Sequence, residues 1–250
     1  MSGHSKWSTI KHKKGALDAK RSKIFSKLSK EITVAAKLGG PDAEANPRLR
    51  LAIQNAKGQN MSKDVIERAV SKADKDASNF EEVTFEGYGP GGIAVFVECL
   101  TDNNNRTVAS VRSAFSKHGG SLGTNGSLGF LFDRKGIFVI SRDRDFKLED
   151  FELEMIDAGA EEIEENEDML MVTTAMEDFG NVSKKLEELE VEAETQELQR
   201  IPNNTTRLDI DEAKKVIQLI EKLEDDDDIQ KVYHNLEMDD ELEEALREES

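Results

Sequence analysis

A chain of 250 residues exceeds what one core usually serves, so two or three domains are expected, and a hydrophobic content of 37% is low but sufficient. The formal charge of -18 is unevenly placed: residues 1–78 hold 17 basic and 8 acidic side chains, a net of +9, which leaves 79–250 with a net of -27. One cysteine, Cys99, excludes an internal disulfide and a cysteine-ligated zinc cluster; strand-sized apolar runs and a start without a secretory signal point to a cytoplasmic chain that makes no use of a membrane.

Residues 1–16 lack apolar periodicity and read as a basic arm whose sizeable apolar anchors are Trp7 and Ile10. From Leu17 the pattern is helical. Ile24, Leu28, Ile32 and Ala35, joined by Phe25 and Ala36, form an apolar face, and at about 100° per residue Lys20, Lys23, Lys27, Lys30 and Lys37 fall within roughly one third of the circumference on the other side. Gly39, Gly40 and Pro41 close this helix. Asn46 and Pro47 then make an N-cap and first-turn pair before Leu49, Ala52, Ile53 and Ala56, and Ser62 offers a cap before Val65, Ile66, Ala69 and Val70, with Asp64 suited to the helix dipole. A basic arm and helical domain over 1–78 results, with 74–79 as its exit linker.

From Phe80 the period becomes that of strands. Residues 80–88 and 92–101 flank Gly89, Pro90, Gly91 and Gly92, which predict a hairpin or sharp corner, and 93–99 is apolar on both faces, as a central strand would be. Asp102 and Asn103 can cap a helix bearing Val108, Val111 and Phe115 that ends at Gly119 and Gly120, and a short strand is expected over 128–132. Residues 136–199 read strand, helix, strand, strand, helix, strand. A split βαββαβ sheet places its first and third strands centrally, and here 137–140 and 169–172 are apolar on both faces whereas 160–165 and 191–199 are mostly polar. After Pro202 come a short strand at 206–208, a helix with Ala213, Val216, Ile217, Ile220 and Leu223, the loop 225–228 and a last strand over 229–236.

These elements predict an α+β multidomain chain: the helical domain, then two ferredoxin-like βαββαβ domains, the third inserted in the second. The boundaries are 1–78, 79–133 plus 202–238, and 134–201. Residues 239–250 make an acidic tail, solvated, with Leu242 and Leu246 supporting at most a weak helix.

The first forty residues set ten basic side chains against Asp18 and Glu31. Lysines and arginines in that density replace the counterions condensed on phosphates. The candidate nucleic-acid contacts are Lys6, Trp7, Lys11, His12, Lys13, Lys14, Lys20, Arg21, Lys23, Lys27 and Lys30, extended by Arg48 and Arg50 on the second helix. The bland alternative is a solvated face or one neutralised by the acidic domains. Trp7, between His4 and His12, either staples the arm to the helical domain or stacks on a base; two histidines eight apart do not have metal-ligand spacing.

Five glycines in 119–129 could aim amides at a phosphate, but the lysine and hydroxyl of a P-loop are missing and turn chemistry is the better reading. The polar run 102–106 could mark a polar surface site, but helix capping is the better reading. No nucleophile, metal or cofactor motif stands out, so neither an enzyme nor a small-molecule substrate is expected.

Seven stretches together resemble the YebC/PmpR family: Gly3-His4-Ser5-Lys6-Trp7, Ile10-Lys11-His12-Lys13-Lys14, Asp18-Ala19-Lys20-Arg21, Asn46-Pro47-Arg48-Leu49-Arg50, Gly87-Tyr88-Gly89-Pro90-Gly91-Gly92, Leu100-Thr101-Asp102-Asn103 with Asn105-Arg106-Thr107, and Val232-Tyr233-His234-Asn235. Ser62, where the family often has proline, and the order Pro41-Asp42 depart from its pattern at helix entries. The resemblance implies a three-domain bacterial cytoplasmic protein, described as a probable DNA-binding transcriptional regulator. Related mitochondrial proteins activate translation, and bacterial members are connected with ribosomes and proline-rich synthesis. Two partners are therefore expected as alternatives, promoter DNA or the rRNA of a ribosome, with an acidic protein-interaction scaffold as the third class. The resemblance assigns no role to 102–107.

Overall fold

The computed structural model describes residues 17–73, 80–142, 147–166 and 168–247. Three helices come first, α1 (Leu17–Gly39), α2 (Pro47–Gly58) and α3 (Lys63–Lys72). They are followed by β1 (Glu81–Tyr88), β2 (Ala94–Thr101), α4 (Asn104–Lys117), β3 (Ser121–Leu122) and β4 (Phe132–Ser141). Next are α5 (Leu148–Asp157), β5 (Ala160–Asn166), β6 (Met169–Ala175), α6 (Phe179–Glu188) and β7 (Thr195–Pro202). The chain closes with α7 (Ile210–Glu224), β8 (Ile229–His234) and α8 (Asp240–Arg247). A helical region followed by two sheet domains is the architecture the periodicity predicts.

The chain forms two compact units, one of Met1–Lys27, Ala77–Asp133 and Ile201–Ser250, the other of Leu28–Asp76 and Arg134–Arg200. The division falls within α1, so its first turns belong to one unit and the remaining helical region shares a unit with the inserted sheet.

In the first unit the strand order is β3-β1-β2-β8. β1 and β2 pair antiparallel from Glu81 opposite Thr101 to Tyr88 opposite Ala94, and the expected corner between them is a 3-10 turn over Pro90–Gly92. There Gly91 has φ +63°, and a Cβ on it would lie 2.6 Å from a Leu208 methyl, so glycine is required twice over. β2 is central. Ile93, Val95, Val97 and Cys99 face Val111 and Phe115 of α4 and Val216, Leu219 and Ile220 of α7; Ala94 and Phe96 face Leu128, Phe132 and Tyr233.

Three local expectations differ. Residues 128–132 do not form a strand of this sheet: Gly129–Leu131 is a 3-10 turn and Phe132 already opens β4. The second edge partner of β1 is instead the two-residue β3. Residues 206–208 supply a single bridge, Thr206 to Leu236, because the Thr206 amide donates to the Asn235 carbonyl (2.7 Å) and its carbonyl accepts from Glu237 (2.9 Å). The tail, moreover, is partly built into the fold. Asp239 caps α8 by accepting from the Leu242 amide (2.9 Å), Arg207 pairs with Asp239 (2.8 Å) and Glu241 (3.0 Å), and Met238 and Leu242 are buried in the β2 core.

In the second unit the order is β5-β6-β4-β7, with the first and third strands central as predicted. Phe138, Ile140, Leu170 and Val172 pack on Phe151 and Met155 of α5 and on Val182 and Leu186 of α6. The helical part is fastened by few side chains. Asn46 Oδ1 accepts from the Leu49 amide (3.1 Å) while its Nδ2 donates to the carbonyls of Ala35 (2.8 Å) and Gly40 (2.9 Å), so one residue caps α2 and holds the end of α1. Ser62 stands at the N-cap of α3 without a side-chain cap bond. Asn55 exchanges two hydrogen bonds with the backbone of Gln196 (both 2.8 Å), which seats α2 on β7. Residues 32–36 are all buried, so this part of α1 is covered all round rather than on one face.

Candidate nucleic-acid interface

Six of the candidate contacts, Lys6, Trp7, Lys11, His12, Lys13 and Lys14, lie outside the described residues, as do the Lys20 side chain and the 74–79 linker. Arg21, Lys23 and Lys27 belong to the first unit; Lys30, Arg48 and Arg50 belong to the second.

Arg21 is exposed and its guanidinium lies 5.5 Å from the centre of the Phe25 ring one turn later, a cation–π distance. Arg48 and Arg50 are exposed on the first turns of α2. Lys23 and Lys27 are engaged within their own unit. Lys23 Nζ pairs with the Asp225 carboxylate, and Lys27 Nζ donates to the Glu224 carbonyl (2.8 Å). Glu224 is the last residue of α7, where outward carbonyls and the negative end of the helix dipole attract a cation. Neutralisation by the acidic domains, the bland alternative, is thus found at Lys23; which residues supply it, some 200 residues away in sequence, is what sequence reasoning missed, and the available signal was the unbroken acidic run 224–228 between a core helix and a core strand.

The structure gives the 102–107 motif a role. Asp228 is buried at the start of β8, and its Oδ2 accepts from Thr101 Oγ1 (3.2 Å), Thr107 Oγ1 (3.0 Å) and both Nε (3.1 Å) and Nη2 (2.6 Å) of Arg106. Arg106 also reaches Asp102 Oδ1 (2.8 Å), and Asn103 caps α4 by accepting from the Arg106 amide (3.1 Å). Hydrogen bonds donated to Asp228 first and Asp102 second hold the guanidinium still more firmly protonated than usual. Asp226 takes up Ser110 Oγ and, through Oδ1, the Asp228 amide (2.9 Å). The motif is thus a clamp joining the end of β2, the start of α4 and the acidic loop.

The glycine-rich segment likewise turns its amides inward. The buried Glu86 carboxylate accepts from Gly126 N (2.7 Å) and Leu128 N (2.5 Å), and the Glu86 carbonyl accepts from Gly123 N (2.8 Å). Those donors are occupied, which supports turn chemistry over phosphate binding. Asn235 similarly ties strands together, its Oδ1 accepting from Ala94 N (2.8 Å). No helix among the described residues is long and apolar enough to cross a membrane.

The sequence profile described as "TACO1/YebC protein N-terminal domain" matches residues 5–76, and that described as "TACO1/YebC second and third domain" matches 80–236. A "Probable transcriptional regulatory protein" of Amoebophilus asiaticus is 54% identical over 239 residues, covering 94% of this chain and 98% of the relative. One of the same description from Desulforapulum autotrophicum is 50% identical over 249 residues, 98% of this chain and 100% of the relative. Among solved structures, the "Conserved Hypothetical Protein Aq1575" of Aquifex aeolicus superposes with a TM-score of 0.78 at 43% identity, over 89% of this chain and 93% of that one. Matched from the basic arm through the 102–107 clamp to Asn235, the chain belongs to the TACO1/YebC family.

Proposed function

We infer that this protein is a regulatory protein that binds nucleic acid by its phosphate backbone, through the basic arm and the cationic residues of α1 and α2. The observation that carries this is the charge inversion: ten basic against two acidic residues in the first forty of a chain with net charge -18, with Arg21, Arg48 and Arg50 exposed. Such a surface gives affinity that falls steeply with salt and carries little base information.

The relatives' names favour promoter DNA. A second reading, ribosomal RNA, is favoured by α3, whose outer face mixes Lys63, Asp64, Glu67 and Arg68 and pairs Lys63 with Glu67 (3.7 Å). Carboxylates on that face repel phosphates, which is poor chemistry for a recognition helix in a major groove. Crosslinking with gradient sedimentation from cells at controlled salt separates the two. Nuclease-sensitive comigration with ribosomal subunits and rRNA adducts at Lys13 or Lys27 is the RNA outcome; recovery of specific promoter fragments is the DNA outcome. If charge reversal of Lys20, Lys23, Lys27 and Lys30 to Glu leaves binding unchanged, the basic-face reading fails.

A further inference from the structure

We propose that the acidic loop 224–228 is a built-in polyanion that occupies Lys23 and Lys27 and must give way before those two lysines can meet a phosphate backbone. This rests on the nucleic-acid reading above and adds an internal competitor to it.

Three features of the first unit carry the inference. Two successive residues of the loop serve two lysines one helical turn apart, the Asp225 carboxylate taking Lys23 and the Glu224 carbonyl taking Lys27. The loop is positioned independently of α1, because Asp226 is held by Ser110 and Asp228 by Thr101, Arg106 and Thr107. The Lys23 contact itself is of the displaceable kind: the Lys23 and Asp225 side chains are 39% and 54% exposed, and exposed pairs are weak and screened by salt, whereas the Lys27 bond to the Glu224 carbonyl is part-buried. A rigid frame therefore presents a weakly bound carboxylate where a phosphate would bind. Sparse anions fail to displace it; a dense polyanion that engages the arm at the same time succeeds, since the arm raises its local concentration.

The test uses the full chain and two probes, a mixed-sequence RNA hairpin and a mixed-sequence DNA duplex, titrated between about 50 and 200 mM KCl. Asp225→Asn, an exposed change next to the α7 C-terminus, is expected to tighten binding about two- to fivefold, the range an exposed ion pair allows. Lys23→Ala is expected to weaken binding more in the Asp225→Asn background than in the natural chain, because only there is Lys23 unmasked. Asp211→Asn is the control for simple loss of negative charge: it lies at the far end of α7, about 20 Å away by helix rise and beyond a Debye length. It is expected to leave affinity nearly unchanged.

Binding that is lost on reversing Lys11, Lys13 and Lys14 to Glu, yet is equal in Asp225→Asn and the natural chain with the same Lys23→Ala effect in both, overturns the competitor and leaves the nucleic-acid reading intact. Equal tightening by Asp211→Asn also overturns it. Failure of both the natural chain and Asp225→Asn to bind either probe overturns both readings. A gain confined to one probe supports the competitor and identifies that nucleic acid as the target.

Discussion

Removing the Asp228 carboxylate is the sharpest perturbation of the 102–107 clamp. Its Oδ2 receives four contacts from three residues, and two of these, Thr101 and Thr107, are fully buried. In Asp228→Ala the losses are partly repaired. Thr107 Oγ1 retains the Asn103 carbonyl (3.1 Å) and Thr101 Oγ1 (2.8 Å), Arg106 retains Asp102, and the backbone bond from Leu100 N to the Asp228 carbonyl (2.8 Å) survives. The net loss is about two hydrogen bonds to the charged carboxylate, that of the exposed Arg106 counting for little, for a cost of about 2–4 kcal/mol. Asp228→Asn keeps an oxygen at the same place and is expected to cost about half as much. The assay is hydrogen exchange resolved by segment, because the chain has two units and a global midpoint would mix them. Amides of β2, α4 and β8 are expected to exchange roughly thirty- to several-hundred-fold faster in Asp228→Ala, while β4 and β6 keep their rates. A change below about threefold in β2 and β8 would refute the clamp, and equal costs for Ala and Asn would show that charge, not the acceptor geometry, holds it.

Three further substitutions probe other joints. Glu86→Ala leaves the amides of Gly126 and Leu128 without their acceptor and is expected to cost about 2–4 kcal/mol, read as lost exchange protection at those two amides; Glu86→Gln should fall between, since its NH2 must face one of the donors. Gly58→Ala places a Cβ 1.9 Å from the Glu194 carbonyl oxygen, a backbone atom that cannot rotate away. It is expected to destabilise the seat of α2 on β7 by about 1–3 kcal/mol, visible as faster exchange at Gln196. Leu242→Ala empties a buried site in the β2 core and is expected to lower the local stability of the first unit by about 2–4 kcal/mol, read as faster exchange of the β2 and α7 amides. A result within about 0.5 kcal/mol of the parent would mean that α8 is a mere appendage.

Legibility in the sequence follows the range of the interactions. The end of α1 at Gly39-Gly40-Pro41, the Asn46-Pro47 entry to α2 and the Asn103 cap of α4 are set by neighbours within a few residues, and each is found where local chemistry places it. The order β5-β6-β4-β7 is also readable, because a strand covered on both faces must be apolar on both and only 137–140 and 169–172 are. The misreadings come from longer range. Leu128 and Phe132 alternate like strand residues, but both fill the underside of β2 while the amide of Leu128 is drawn to Glu86, so the backbone turns between them. Two-residue β3 has no apolar run to announce it. Leu242 and Leu246 are too few to mark a helix by period, and their burial depends on a surface made by β8 and α7. For the candidate site, charge along α1 was legible and its neutralisation by the acidic domains was one of the two readings, but the partner of Lys23 was not legible, since Asp225 is 202 residues away.

The acidic half of the chain consequently does two different jobs, and burial separates them. Asp228 and Glu86 are buried, and each is surrounded by donors from its own unit, hydroxyls and guanidinium for one and backbone amides for the other. Carboxylates so placed are structural, because leaving those donors unmet would cost more than the charge does. Asp225 is exposed and meets a lysine that sequence composition assigns to the nucleic-acid face. The two kinds sit three residues apart on one loop, so the buried member fixes where the exposed member points. A family motif that clamps the fold can therefore bear on binding: Thr101, Arg106 and Thr107 act through Asp228 on the position of Asp225, and loosening the clamp by Thr107→Val should raise nucleic-acid affinity in the natural chain but have no further effect in Asp225→Asn, the result expected if the loop and Lys23 form one linked device.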